Sequence, residues 1–402
     1  MRMLRFMICA LLLLVQTGCW NRVELNDIAI ISATGVDWHN GKWTLSYQIV
    51  IPKAISSQTG ESGTAAVNVF STTGENFRYA ISKASEETSR RLYFSHNQSI
   101  VIGQEAARKG LGPLLEAYLR NHDSRETVSV FLSKGSARRM LEQLIPLEQI
   151  PGAAIQRMIA NQELGSSSFR QMTAHDVLME LLGSTQATSI PGLVIAGPGE
   201  GTDNAGMMGG TTTQTKVRLS ELGLIQGDKL VGWLDDDQSR GTMWLTDHID
   251  KTTVSFSCSD EGKGKETSSA RILTASTRLK PEPRNGKWLI RADVEATGIL
   301  MEYNCPGDLS KPAEVEKLER RIENEIKATM LDGWEAVRKQ GVDVTGFGTL
   351  IYRSYPKQWK EISGSWRDVF PQTEVEATVK MKLNSTGMSG NNFKDAQKKA
   401  GS

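Results

Sequence analysis

Cys19 stands where an uninterrupted apolar stretch, Phe6 to Val15, gives way to a polar chain, with the small residues Thr17-Gly18 immediately before it. A thiol in that setting is placed for thioether formation with diacylglycerol and for cleavage on its N-terminal side, the pattern of a bacterial lipoprotein signal. Arg2 and Arg5 precede the stretch and complete a signal-peptide layout over residues 1–18. The apolar run is too short for a bilayer, which takes about 20 residues to span. It targets the chain and does not hold it. Gln16 stands where such signals usually carry Leu, and the alternative is a plain secretory peptide with an incidental cysteine. Diacylglycerol supplies two acyl chains at about 0.8 kcal/mol per buried CH2, which suffices for stable anchoring.

Other chemistry is sparse. Cys9 lies inside the signal, so Cys258 and Cys305 are the cysteines of the mature body. On the exported side they can pair as a disulfide, or remain two small buried thiols. His39, His96, His122, His175 and His248 are scattered, none at the i, i+4 spacing of a helical zinc site and none beside a cysteine. No Gly-x-Ser-x-Gly elbow marks an acyl-transfer nucleophile. Asp235-Asp236-Asp237 reads as a helix cap and acidic first turn ahead of Met243 and Trp244, with a hard-cation site as the alternative. GPGEGT at 197–202 lacks the Gly-Lys-Ser/Thr ending of a phosphate loop. No catalytic, cofactor or metal residues are assigned, and an enzyme is not expected. The formal charge of +1, from 47 Lys+Arg against 46 Asp+Glu, gives no field for nucleic acid.

Few residues therefore need positioning for catalysis, and the elements that carry them read as two halves. Asp27–Val36 and Lys42–Ile51 flank Asn40-Gly41, a hairpin signal, because both turn residues tolerate positive φ. Strands at 66–71, 92–103 and 127–133 alternate with helices from Phe77 and over 110–122. Helices at 136–145, 151–164 and 174–182 follow, the last opened by a capping box of Thr173 and Asp176. This N-terminal α/β region, 19–190, has a second part that is mostly helical from about 136. The Gly-rich stretch 191–215 reads as a linker. A C-terminal α+β domain, 216–385, holds strands at 217–225, 229–233, 253–258, 269–279 and 287–303, with Asn285-Gly286 as a second hairpin turn. Val315, Leu318, Ile322, Ile326, Met330, Trp334 and Val337 recur every three or four residues, which makes one long amphipathic helix whose stripe covers the sheet. Short helical pieces follow at 347–355, 356–362 and 366–370, then an alternating strand at 374–383. Residues 386–402 read as a disordered tail. The fold class is α+β: mixed α/β, multi-domain, with antiparallel sheets, packed helices and a long amphipathic helix in the C-terminal domain. Two basic and aromatic clusters, Arg90 to His96 and Tyr352 to Trp359, are either partner surfaces or element ends packed on the core.

Several stretches, taken in order, resemble one family. They are GCWNRVELNDIAIISATGVD from Gly18, RRLYFSHNQSIVIG from Arg90, LVGWLDDDQSRG from Leu230, the helix from Pro312 to Arg338, and FGTLIYRSYPKQWKEI from Phe347. The pattern is similar to the Ger(x)C family, the lipoprotein C subunits of nutrient germinant receptors in endospore formers. The likeness runs from the lipid-attachment cysteine to the final strand and leaves out the Gly-rich stretch and the tail. It implies mixed α/β domains, no enzymatic activity, and anchoring on the outer face of the spore inner membrane beside integral-membrane A and B subunits. Cys19 is the one functional residue it carries over. A solute-binding or enzymatic surface lipoprotein unrelated to sporulation is the alternative.

Overall fold

At Asn40-Gly41 the chain reverses with φ values of 50° and 77°, the conformation whose twist suits a two-residue hairpin. The hairpin joins β1 (Ile28–His39) to β2 (Lys42–Val50). The computed structural model describes residues 24–56, 65–120, 125–199, 201–209, 211–258 and 267–387, with the isolated positions 3 and 397. The expected signal stretch, Cys19 and most of the expected tail lie outside these residues. Next come α1 (Pro52–Ser56), β3 (Val67–Gly74), α2 (Phe77–Glu87), β4 (Arg91–Tyr93), β5 (Ser99–Gly103), α3 (Gln104–Lys109) and α4 (Gly112–Leu119). The half continues with β6 (Ser129–Ser133), α5 (Ala137–Leu141), α6 (Pro151–Gly165), α7 (Ala174–Leu181), β7 (Ala187–Ala196), β8 (Lys216–Gln226) and β9 (Lys229–Leu234).

These strands form one sheet in the order β3-β2-β1-β5-β6-β7-β8-β9, with β4 also paired to β1. Its flanks are antiparallel, but β1-β5, β5-β6 and β6-β7 are parallel. The expectation of antiparallel sheets is corrected here. Helices α3 to α7 return the chain to the same end of the sheet before β6 and β7, and that crossover makes neighbours parallel. Both faces are covered, so SIVIG in β5 and SVFLS in β6 are buried at every position. Buried Gln48 locks two helices to this centre. Its Nε2 donates to the Leu141 carbonyl at 2.7 Å, and its Oε1 accepts from Gly152 N at 2.9 Å and Ser32 Oγ at 2.7 Å.

The Gly-rich stretch does not separate two sheets. Pro191 to Ala196 belong to β7, which pairs antiparallel with β8 across the 197–215 connection. Strands β8 and β9, expected in the C-terminal domain, complete the first sheet. A low content of large apolar residues marks a segment with no core of its own, and a long hairpin connection meets that condition as well as a linker does. It is tied down by Thr202, whose N donates to Gln143 Oε1 at 2.8 Å and whose Oγ1 lies 2.9 Å from Thr215 Oγ1.

The remaining elements are α8 (Asp236–Leu245), β10 (Thr252–Ser257), β11 (Thr267–Arg284), β12 (Lys287–Glu302), α9 (Pro312–Gln340), α10 (Phe347–Ser354), α11 (Pro356–Ile362), α12 (Trp366–Val369) and β13 (Glu374–Ser385). The second sheet runs β10-β11-β12-β13, antiparallel except for the parallel β12-β13 pair. Asn285-Gly286 repeats the positive-φ turn of the first hairpin. Along α9 the stripe Leu318, Ile322, Ile326, Met330, Trp334 and Val337 is buried, and Gly341 ends the helix at φ 67°. Glu319 and Glu323 of α9 accept from the main-chain N–H groups of Leu383 (2.8 Å) and Met381 (3.0 Å) in β13. Those bonds occupy an edge that would otherwise be open to another strand.

Candidate functional site

The first described residue after Cys19 is Glu24, which leads through a single 3-10 turn, Leu25–Asp27, into β1. The opening residues of β1 pair in parallel with β4, placing Ile28 beside Arg91, Ala29 beside Leu92 and Ile30 beside Tyr93. The chain therefore enters the fold against the basic and aromatic stretch Arg90 to His96. That stretch is only half-buried: Arg90, Arg91 and His96 are exposed, while Leu92, Tyr93 and Phe94 are intermediate. Behind it Asn97 Nδ2 donates to Thr34 Oγ1 at 3.0 Å and to the Tyr118 hydroxyl at 2.7 Å. Burial pushes the Tyr118 phenol well above its ordinary range and the nearby Tyr47 phenol up to about 12, so both stay neutral and serve as packing and hydrogen-bonding groups.

The other basic and aromatic stretch packs on the second sheet. Tyr355 lies 5.3 Å from Trp288 between ring centroids, and buried Trp359 lies 5.3 Å from Trp366. Cys258 follows β10 and Cys305 follows β12. The structure joins them, with Cα atoms 5.0 Å apart and Ser268 Oγ beside both sulfurs. Asp235 caps α8, its carboxylate accepting from Gln238 N while the Gln238 side chain accepts from Asp235 N. The acidic triplet thus acts through the helix start. Among the described residues no group of three His, Cys, Asp or Glu could hold a metal ion, and no helix is long and apolar enough to cross a membrane.

A polar junction that the sequence did not announce lies between α7 and the turn after α8. Arg170 donates to His248 Nε2 at 3.0 Å and pairs with Glu180, whose other oxygen accepts from buried Thr188. Arginine can only donate, so Nε2 must carry no proton, and Nδ1 is then free to donate to Thr246 Oγ1 at 3.0 Å. Burial and then the Arg170 charge hold the His248 pKa below its ordinary value. The group lacks a nucleophile and holds elements together.

Two family models match this chain. One, described as spore germination protein N-terminal domain, matches residues 21–195, and the other, described as spore germination B3/GerAC like, C-terminal, matches residues 220–387. The chain belongs to the GerAC family of spore germination proteins. Spore germination protein KC of Bacillus subtilis is 32% identical to this GerAC chain over 391 residues, covering 95% of each. Spore germination protein B3 of the same species is 21% identical, covering 96% of this chain and 98% of its own. The crystal structure of the GerBC protein superposes with a TM-score of 0.53 at 19% identity, covering 87% of this chain and 96% of that one. It has the same mixed α/β fold. The GerAC family acts in spore germination and is not an enzyme family.

Proposed function

We propose that this chain is the lipid-anchored C subunit of a nutrient germinant receptor, held on the outer face of the spore inner membrane by diacylglycerol on Cys19 and assembled there with integral-membrane A and B subunits. The observation that carries the proposal is the full-length likeness to spore germination protein KC, together with a cysteine placed for lipid attachment just ahead of the first matched domain. Anchoring confines the folded body to a thin layer above the bilayer and raises its effective concentration toward membrane partners without any new contact. The oxidising side of the membrane also suits the Cys258–Cys305 pairing.

The test is Cys19→Ala in sporulating cells. Mass spectrometry of the parent should show a mature chain starting at Cys19 and carrying the lipid. The variant should lose that mass, leave the inner-membrane fraction or keep its uncleaved signal, and fail to support nutrient germination. Full germination by a demonstrably unlipidated, soluble variant would sink the anchoring role. Cross-linking of the parent in spore inner membranes should recover A and B subunits, and their absence from the cross-linked species would refute the assembly.

A further inference from the structure

Beside the entry of β1 lies a groove of ≈ 550 Å³ between α2 and β4, rimmed by Arg78, Arg90 and Arg91 and floored by Ile81, Leu92 and Phe94. Among the described residues no carboxylate lines it. Glu86 and Glu87 of the same helix are not part of its wall. Ser82, Ser85, Thr88 and Ser89 also line it, and the hydroxyls of the first three donate to backbone carbonyls; the arginines are its cations. The side chains of Arg78 and Arg90 are exposed. A concave wall with cations at the rim and an apolar floor matches a group that is anionic at one end and hydrocarbon at the other.

From this groove and its position we infer that it is a seat for the headgroup of an anionic phospholipid, turning the α2–β4 end of the first sheet toward the bilayer. The inference rests on the anchoring role of Cys19, which fixes where the membrane is. Four residues lie between Cys19 and Glu24, a tether of five Cα steps that reaches at most about 18 Å even when fully extended. Arg91 pairs directly with Ile28 at the start of β1, so the groove stands at the foot of that tether. Tyr79, 51% exposed, projects from α2 with Lys83 Nζ 5.2 Å from its ring centroid. An amphipathic ring beside a cation is the pairing favoured at headgroup depth. Guanidinium groups bind phosphate oxygens in a bidentate fork, which a zwitterionic surface would compensate with its own cations and an anionic one would not.

The experiment uses the mature chain from residue 19 with Cys19→Ser, so that vesicle binding is measured without the lipid and stands apart from whether Cys19 is modified in cells. Co-sedimentation at low salt compares vesicles of phosphatidylcholine alone with vesicles of equal parts phosphatidylcholine and phosphatidylglycerol. The chain should partition onto the anionic vesicles and lose that preference as salt rises. Arg78→Gln and Arg90→Gln should each weaken partition about fivefold, and the double variant about 25-fold, with thermal unfolding unchanged because both side chains are exposed. Equal binding to both vesicle types, or a double variant that binds like the parent, overturns the assignment. So does an Arg78- and Arg90-dependent binding of glycerol phosphate or inorganic phosphate, read by NMR shifts, with no vesicle partition. That outcome would make the groove a site for a free anion.

Discussion

Asp343 is the most deeply placed carboxylate in the second half. Its two oxygens each accept two hydrogen bonds, from Thr345 Oγ1 (2.8 Å) and Phe347 N (3.0 Å) on one side and from Gly348 N (2.7 Å) and Trp366 Nε1 (3.0 Å) on the other. Burial pushes its pKa up and the four donors pull it down, leaving a net rise. The carboxylate holds the start of α10 against Trp366, and the amide of Asp343→Asn would turn its NH2 toward two of the donors. We expect that variant to lose about 3 kcal/mol in urea melts, since two buried donors are then left unpaired, and a loss under 1 kcal/mol would show the donors can be rehoused. His248 sets a pH dependence of opposite sense. Its folded pKa lies below the ordinary 6.5, so the unfolded chain binds the proton first. Stability should be complete above that value and decline as pH falls through it and on through the folded pKa. His248→Gln should flatten this part of the curve in chemical melts taken between pH 8 and 5, a window set around the ordinary histidine value. Equal slopes in parent and variant would assign the effect to other groups.

At the scale of elements, α8 and α9 cross where two glycines meet. A Cβ built on Gly333 would lie 2.7 Å from Gly241 C, and one on Gly241 would lie 2.2 Å from Thr329 O. Gly333→Ala removes a helix-interior glycine, which by propensity favours the helix by about 1 kcal/mol. Overpacking costs about 1–3 kcal/mol and wins here, because the atoms met are backbone and cannot swing aside. The expected outcome is net destabilisation of about 2 kcal/mol with unchanged helix content by circular dichroism. A stabilised variant would mean that the helices slide apart without penalty. The capping box of α7, the Asp235 cap of α8, both NG turns and the α9 stripe were legible beforehand, since each rests on residues within a few positions of one another. Strand β7 was not: ATSIPGLVIA is buried or half-buried throughout and carries Pro191 at a register shift, so it shows neither alternation nor an uninterrupted β-branched run.

For the whole molecule the consequence of β8 and β9 joining the first sheet is that a cut between residues 215 and 216 falls inside that sheet. One contiguous apolar cluster runs through Phe131, Leu193, Leu222, Trp244, Ile326 and Phe347, linking both sheets and α9, beside a second cluster on the first sheet that includes Ile31, Tyr47 and Leu132. Separately produced fragments ending at 215 and starting at 216 should therefore be insoluble or molten, with poor dispersion in NMR spectra, since each exposes part of that core. Two well-dispersed spectra from the fragments would establish independent folding of the halves.

The sequence by itself determined what local chemistry decides: the turn positions, the helix caps, the amphipathic period of α9, and the order of stretches that carries the family likeness. Only the tertiary structure decided the parallel centre of the first sheet, the pairing of β7 with β8 across the Gly-rich connection, the meeting of Cys258 with Cys305 over a separation of 47 residues, and the gathering of Arg78 and Arg90 in one groove between α2 and β4. These depend on contacts between residues far apart in the chain. Strand partners share no local signal that names them, and a groove between a helix and a strand exists only once both have packed.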